Sequence, residues 1–330
     1  SEAFSLSSHS PITIHWQHGM DFDGQLIRFM EQVQVAGVHR SQTDKQYHIR
    51  STGNQLHAKL NRYVDFAANG GTDDLDVVEL KFFGEVRTEN QTFNGQQALT
   101  SRDRMKAIDL TLDRRTGDFS ARGPGWITST RVDTDEASKR LDASPANGAP
   151  SPTTTQDGSQ PLVYLRVDYQ NAIRGNLELR EAEFMHFVRS LYGPVSSWSG
   201  TLDPDRRNGL GPEGIVMTCN TLNIAEMPAG QERSIEMSAK GNTTVEGNRF
   251  QATAERLTYV GAKEQLIFEG TKRNLAVLQQ RAQVGADPDE FQARKIIYGI
   301  QSGLVDVSGA AKLNYNQLGS PGDAPRARIR

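Results

Sequence analysis

Apolar and polar residues alternate along much of this chain. Val78-Glu79-Leu80-Lys81-Phe82-Phe83-Gly84-Glu85-Val86 is mostly apolar at even positions, and Leu162–Tyr169 and Leu304–Gly309 alternate in the same way. A period of two puts one set of side chains on one face of a strand, so these runs predict half-buried β-strands. Asp23-Gly24, Asn94-Gly95, Gly241-Asn242 and Gly247-Asn248 punctuate them with turn chemistry. Helical spacing is scarce. Its best instance, residues 274–283, serves equally well as one more strand. From Val132 to Pro161 the composition shifts to Asp, Ser, Thr, Ala, Gly and Pro, too little apolar surface to offset the entropy of ordering. The pattern therefore predicts an all-β chain: β repeats over 1–131, a flexible loop or linker over 132–161, further β repeats over 162–317, and a flexible basic tail over 318–330. That tail ends in Arg326, Arg328 and Arg330.

An internal repeat runs through the strands. A small residue is followed by an aliphatic three positions later, a larger apolar residue five later and a glycine sixteen later. Ala254, Leu257, Tyr259 and Gly270 fit it, as do Ala293, Ile296, Tyr298 and Gly309, and Ala107, Leu110, Leu112 and Gly123. Cys219, Leu222 and Ile224 fit the first three places, with Gly241 arriving late, after an insertion around Pro228-Ala229-Gly230. A fainter copy starts at Ala58, with Asn61 where an aliphatic belongs, Tyr63 in the third place and Gly84 as its glycine. Offsets three and five share a strand face, whereas offset zero has the opposite parity. A strand changes parity in this way at a bulge or a corner, where a small residue lets the backbone bend. After the third place come a turn (260–264), a second strand (Leu266-Ile267-Phe268) and the glycine. Each unit thus reads as a bent hairpin that needs its neighbours to bury its apolar face. Leu110, Leu112, Leu222, Ile224, Leu257, Tyr259, Leu266, Phe268, Ile296 and Tyr298 are the candidate lining of an apolar groove, or equally the filling of a closed core.

The run from Gly241 to Tyr259, followed by Leu266-Ile267-Phe268-Glu269-Gly270, resembles the OstA-like family of lipopolysaccharide-transport proteins. The likeness lies in a glycine-bearing strand, a Phe-led Ala-x-x-Leu-x-Tyr segment, a turn, and an apolar strand ending in Glu-Gly. Met20-Asp21-Phe22-Asp23-Gly24-Gln25, leading to Phe29 and Val33-Gln34-Val35, resembles another copy. The likeness is best over 237–315, moderate over 12–126 and poor over 132–215. It implies a semi-open twisted β-jelly roll (a β-taco) whose apolar groove shields lipid acyl chains. It also implies end-to-end stacking with itself or with other envelope subunits, a periplasmic or cell-envelope location, and no catalysis. The length, the 132–161 segment and the insertions depart from the small periplasmic members and point to a larger multi-repeat relative.

Composition narrows the function further. Of 330 residues only 36% are hydrophobic, against an average of about 45–50% on a count that also includes glycine, which predicts a thin core. Lys and Arg total 37 against 40 Asp and Glu, a net charge of −3, so the footprint of a general nucleic-acid binder is missing. One cysteine, Cys219, excludes an internal disulfide and any multi-cysteine metal site. It occupies the repeat's small-residue place, which predicts buried filler rather than a nucleophile.

Other candidate chemistry is weaker. His15 and His18, near His9, lie on an alternating segment where an offset of three points to opposite faces, which argues against a metal. His39, His48, His57 and His186 have no ligand-type spacing. Asp203, Asp205, Asn208 and Gly209 lack the acidic twelfth position of a calcium loop, held here by Gly214, and Asp73, Asp74 and Asp76 read as a solvated turn. Trp16, Trp126 and Trp198 read as core or rim residues. No nucleotide or nucleophile fingerprint occurs, and no cofactor is expected. The expectation is a non-enzymatic protein that binds or bridges a lipopolysaccharide-like amphiphile. A ligand-free scaffold and a carbohydrate-binding jelly roll are the alternatives.

Overall fold

The computed structural model describes residues 12–41, 44–64, 75–132, 161–206, 209–211, 214–229, 232–247, 250–263, 265–281, 287–299, 304–314 and 327–329. The 132–161 segment, apart from its two end residues, lies outside them. So do His9, Asp73, Asp74, Asn208 and most of the 318–330 stretch. The described chain is nearly all β, with one short 3-10 turn at Gly261–Lys263. Residues 274–283 hold a strand, Ala276–Gln280.

Two compact units emerge. One holds Ser1–Arg131 and Arg166–His186, the other Val132–Leu165 and Phe187–Arg330. The second block of repeats read from the sequence begins at 162, yet residues 166–186 group with the first unit. The reason is backbone pairing between Asp118–Arg122 and Ala172–Asn176.

The first unit contains β1 (Ile12–His15), β2 (Gly19–Phe22), β3 (Leu26–Arg40), β4 (Gln46–Leu60), β5 (Val77–Phe93), β6 (Leu99–Asp113), β7 (Asp118–Arg122), β8 (Gly125–Val132) and β10 (Ala172–Asn176). Two further strands, β9 (Leu162–Tyr169) and β11 (Glu181–Val195), each contribute one half to it. Antiparallel pairs run β2–β3–β4–β5–β6–β7–β10–β11, with β1 also on β3 and β8 also on β6. The turns are held by short polar side chains. Asp23 Oδ1 accepts from the N–H groups of Gln25 and Leu26, Asn94 Oδ1 from Gln96 and Ala98, and Asp113 Oδ1 from Arg115 and Thr116.

The second unit contains β12 (Ile215–Ala229), β13 (Glu232–Gly247), β14 (Phe250–Val260), β15 (Gln265–Glu269), β16 (Ala276–Gln280), β17 (Asp289–Gly299), β18 (Val305–Asn314) and β19 (Ala327–Ile329). β12, β13 and β14 pair in order, β14 then pairs with both β15 and β16, and these two pair with β17, which pairs with β18. Within the 318–330 stretch, β19 (Ala327–Ile329) runs parallel to Val305–Val307.

Long strands in both units bend at a corner, and the repeat marks it. β14 pairs with β16 up to Thr253 and with β15 from Arg256, changing partner at Ala254-Glu255. β6 changes from β8 to β7 between Lys106 and Asp109, at Ala107-Ile108. Register slips beside Cys219 between β12 and β13, and at Ala293 between β17 and β18. The fifth copy is displaced. Ala58 sits in an unbroken stretch of ladder opposite Leu80, while the slip in β4 falls at Gly53-Asn54. Counted from Gly53, the places at three and five are Leu56 and Ala58, both buried.

The glycines complete the corner. Gly84, Gly241 and Gly309 have φ of 73°, 78° and 65°, left-handed values that cost an ordinary residue about 1–2 kcal/mol. Gly123 and Gly270 lie in the breaks between β7 and β8 and between β15 and β16. A Cβ on Gly84 would meet the Asn54 side chain at 2.5 Å, one on Gly241 the Asn220 side chain at 2.7 Å, and one on Gly309 the Arg294 side chain at 3.3 Å. In three copies, then, the residue following the small one covers the left-handed glycine of the next strand.

Candidate ligand-binding face

The corner explains how one apolar face survives a change of parity. Along β14 the inward residues are Ala252 and Ala254 before the bend, then Leu257 and Tyr259 after it; along β17 they are Phe291 and Ala293, then Ile296 and Tyr298. Backbone pairing places Leu222, Ala239, Leu257, Phe268, Ile296 and Val307 in one row across six strands. Ile224, Met237, Tyr259, Leu266, Tyr298 and Val305 make the next row. Eight of the ten candidates therefore stand side by side in the second unit. Leu110 and Leu112 hold matching places in the first, in the rows Phe29, Leu56, Phe82, Leu110, Ala121, Ile173 and Ile27, Ala58, Leu80, Leu112, Phe119.

The two rows differ in cover. Nearest the corner, Leu222 and Ile296 are 0% exposed, Phe268 1% and Leu257 2%, so these four are core. One step outward, Ile224, Met237, Tyr259, Leu266 and Tyr298 are half-buried, while Val305 in the same row is buried; in the first unit Leu110 beside the corner and Leu112 one step outward are both half-buried. Burial raises the Tyr298 phenol above its usual range. On the other side of the bend, Met217, Val245, Ala252, Leu278 and Phe291 form a further buried row. In the first unit one cluster spans the bend: Phe29, Leu56 and Phe82 pack with Val33 and Val86, and Ile14, Val35 and Leu110 lie against it.

The repeat pattern missed Met237 and Ala239 because β13 carries its bulge at Gly241-Asn242, downstream of them. The alternation Ile235, Met237, Ala239 was the available signal. Val305 and Val307 lay in a run already read as a strand, without being assigned to the face.

Other candidate chemistry resolves into structure. Among the described residues no three His, Cys, Asp or Glu side chains gather as a metal site. His18 Nδ1 lies 3.5 Å from Glu31. Asp203 and Asp205 belong to a surface turn, where Asp203 pairs with Arg206 and Asp205 with Arg189. Trp16 stacks at a tilt on Phe29, with ring centroids 4.9 Å apart, and Arg166 lies 5.5 Å over Trp126. A cleft of about 190 Å³ in the first unit is lined by Gln25, Lys59, Asn61, Glu79, Asp113 and Arg115 beside Leu60 and Val78, too polar for an acyl chain.

Cys219 is buried. Burial pushes its thiol up to about 11, against the opposing hydrogen bond with the Lys240 backbone. A thiol reagent at pH 8 is expected to label Cys219 on the order of a hundredfold more slowly in the folded chain than in denaturant. Equal rates would show that the β12 corner is open to solvent.

The geometry defines a nearly all-β protein in which each unit carries an apolar sheet face. No family model, curated protein or solved structure matches this chain.

Proposed function

We propose that the protein is a non-enzymatic cell-envelope module. Its bent hairpins form a semi-open jelly roll that holds the acyl portion of a lipopolysaccharide-like amphiphile. The observation that carries this reading is the gradient across the candidate face of the second unit: a closed row at the corner, then a row one step outward in which every apolar side chain but Val305 is half-buried. Ile224, Tyr259, Leu266 and Tyr298 supply uncompleted apolar surface, and covering it stabilises by about 25 cal/mol per Å² whether protein or lipid provides the cover. The resemblance to the OstA-like family supports the cargo class and the envelope location.

Native mass spectrometry of the purified chain, with uptake of a fluorescent fatty acid, tests it. Lipid is expected to co-purify. Leu266→Glu is expected to weaken uptake about tenfold or more, because a carboxylate does not desolvate against an acyl chain. Thr258→Glu, on the opposite face of β14, is expected to leave uptake unchanged. A chain that carries no lipid and takes up no probe overturns the reading.

A second reading, a ligand-free scaffold that stacks through its sheet edges, is favoured by the full burial of Leu222, Phe268 and Ile296. Oligomers that grow with concentration, without lipid uptake, would establish it.

A further inference from the structure

The outward face of β4, β5 and β6 beyond the corner carries a block of positive charge. Backbone pairing sets Arg50 opposite Glu89 and Glu89 opposite Arg104. In the adjoining rows Arg87 faces Lys106, and Gln91 faces Arg102. Directly opposed residues share a sheet face about 5 Å apart, and positions two apart along a strand share it at about 7 Å. Five cations and one carboxylate thus occupy one area of roughly 10 by 14 Å, in a chain whose net charge is −3.

The single carboxylate is already satisfied. Arg102 Nε and Gln91 Nε2 each donate to Glu89 Oε1 at 2.8 Å. Partial burial opposes the charged form of Glu89, but those bonds and the nearby arginine charges prevail and hold its carboxyl below the usual range. Arg50, Arg87, Arg104 and Lys106 have no ion-pair partner among the described residues. Like charges set directly opposite each other, as Arg87 and Lys106 are, destabilise a sheet. A face that keeps them gains from an anion outside the chain.

We infer that this basic sheet face is a docking surface for an anionic phospholipid bilayer. Three features favour a bilayer over other polyanions. The cations are spread over three strands rather than converging on one point, which suits many headgroups better than a single phosphate. Guanidinium groups, four of the five cations, match phosphate oxygens two at a time. Beside them on the same face, β3 presents Ala36 opposite Arg50 and Val38 opposite His48, both exposed, apolar groups suited to the headgroup boundary. Single-stranded nucleic acid would need an open aromatic platform. Of the aromatics on this face, Trp126 opposite Lys106 is covered by Arg166, itself held by Asp168 at 2.7 Å, and Phe93, two residues beyond Gln91, packs against His48 with ring centroids 4.8 Å apart. Within the first unit this surface lies on the sheet face away from Leu110 and Leu112, and it does not depend on the amphiphile reading.

Co-sedimentation of the full chain with phosphatidylcholine vesicles, with and without phosphatidylglycerol, tests it. Binding is expected only with the anionic lipid, and is expected to fall steeply with salt. Arg50→Gln, Arg87→Gln and Arg104→Gln together are expected to weaken it about a hundredfold while far-UV circular dichroism stays unchanged, since Arg102 remains to pair Glu89. Glu89→Gln is expected to strengthen it. Equal binding to neutral vesicles, wild-type binding by the triple variant, release of the vesicles by inorganic phosphate at an ionic strength at which sodium chloride leaves them bound, or tighter binding to a single-stranded oligonucleotide would each overturn the inference. Fatty-acid uptake by the triple variant is expected to stay at the wild-type level, which separates this test from that of the amphiphile face.

Discussion

Phe268→Ala is expected to destabilise the second unit by about 3–5 kcal/mol, the usual cost of an aromatic truncation that leaves a cavity. Phe268 is 1% exposed and sits between Leu257 and Ile296 in the row beside the corner. Its neighbours belong to strands fixed by backbone pairing on both sides, so the site collapses poorly. Urea unfolding followed by far-UV circular dichroism measures the loss. Leu266→Ala, one step outward and half-buried, is expected to cost less than half as much. The pair separates the sealed row from the half-buried one within one strand. If Phe268 lines an open groove instead, its truncation leaves stability nearly unchanged and appears only in lipid uptake.

Gly241→Val is expected to cost about 1–3 kcal/mol, at the upper end for a β-branched residue forced to positive φ. The φ of 78° at Gly241 works against a side chain there, and so does the Asn220 amide, which any Cβ at this position would approach to 2.7 Å. Gly241→Asn is expected to be milder, because asparagine tolerates the left-handed region, as Asn242 does at 49°. The sign of the valine effect is informative. In a straight strand, glycine to valine stabilises, through β-propensity and the lost freedom of the unfolded chain. A stabilising valine in the same urea experiment would therefore show that β13 runs through without a bulge.

Much of the strand content was legible in the sequence because alternation is local: each residue's face follows from its neighbours two positions away. The corner was legible for a subtler reason. Ala107, Cys219, Ala254 and Ala293 are small where the parity breaks, and steric room at a bend is a requirement the sequence must meet on the spot. The faint copy was misplaced by five residues because both Gly53 and Ala58 are small, and only the partner strand's register, Thr52 opposite Arg87 and then Gln55 opposite Phe83, shows where the ladder slips. The basic face escaped notice because Arg50, Arg87 and Arg104 are far apart in the chain and meet only across hydrogen-bonded strands.

By itself, then, the sequence determined which residues are strand, which side chains share a face and where the chain must bend, since sterics and burial act within a few residues. Tertiary structure alone decided which candidate residues are sealed core and which stay half-open. It also decided that residues 166–186 group with the first unit and that five cations share one surface. Those outcomes depend on register between distant strands, which local pattern leaves free.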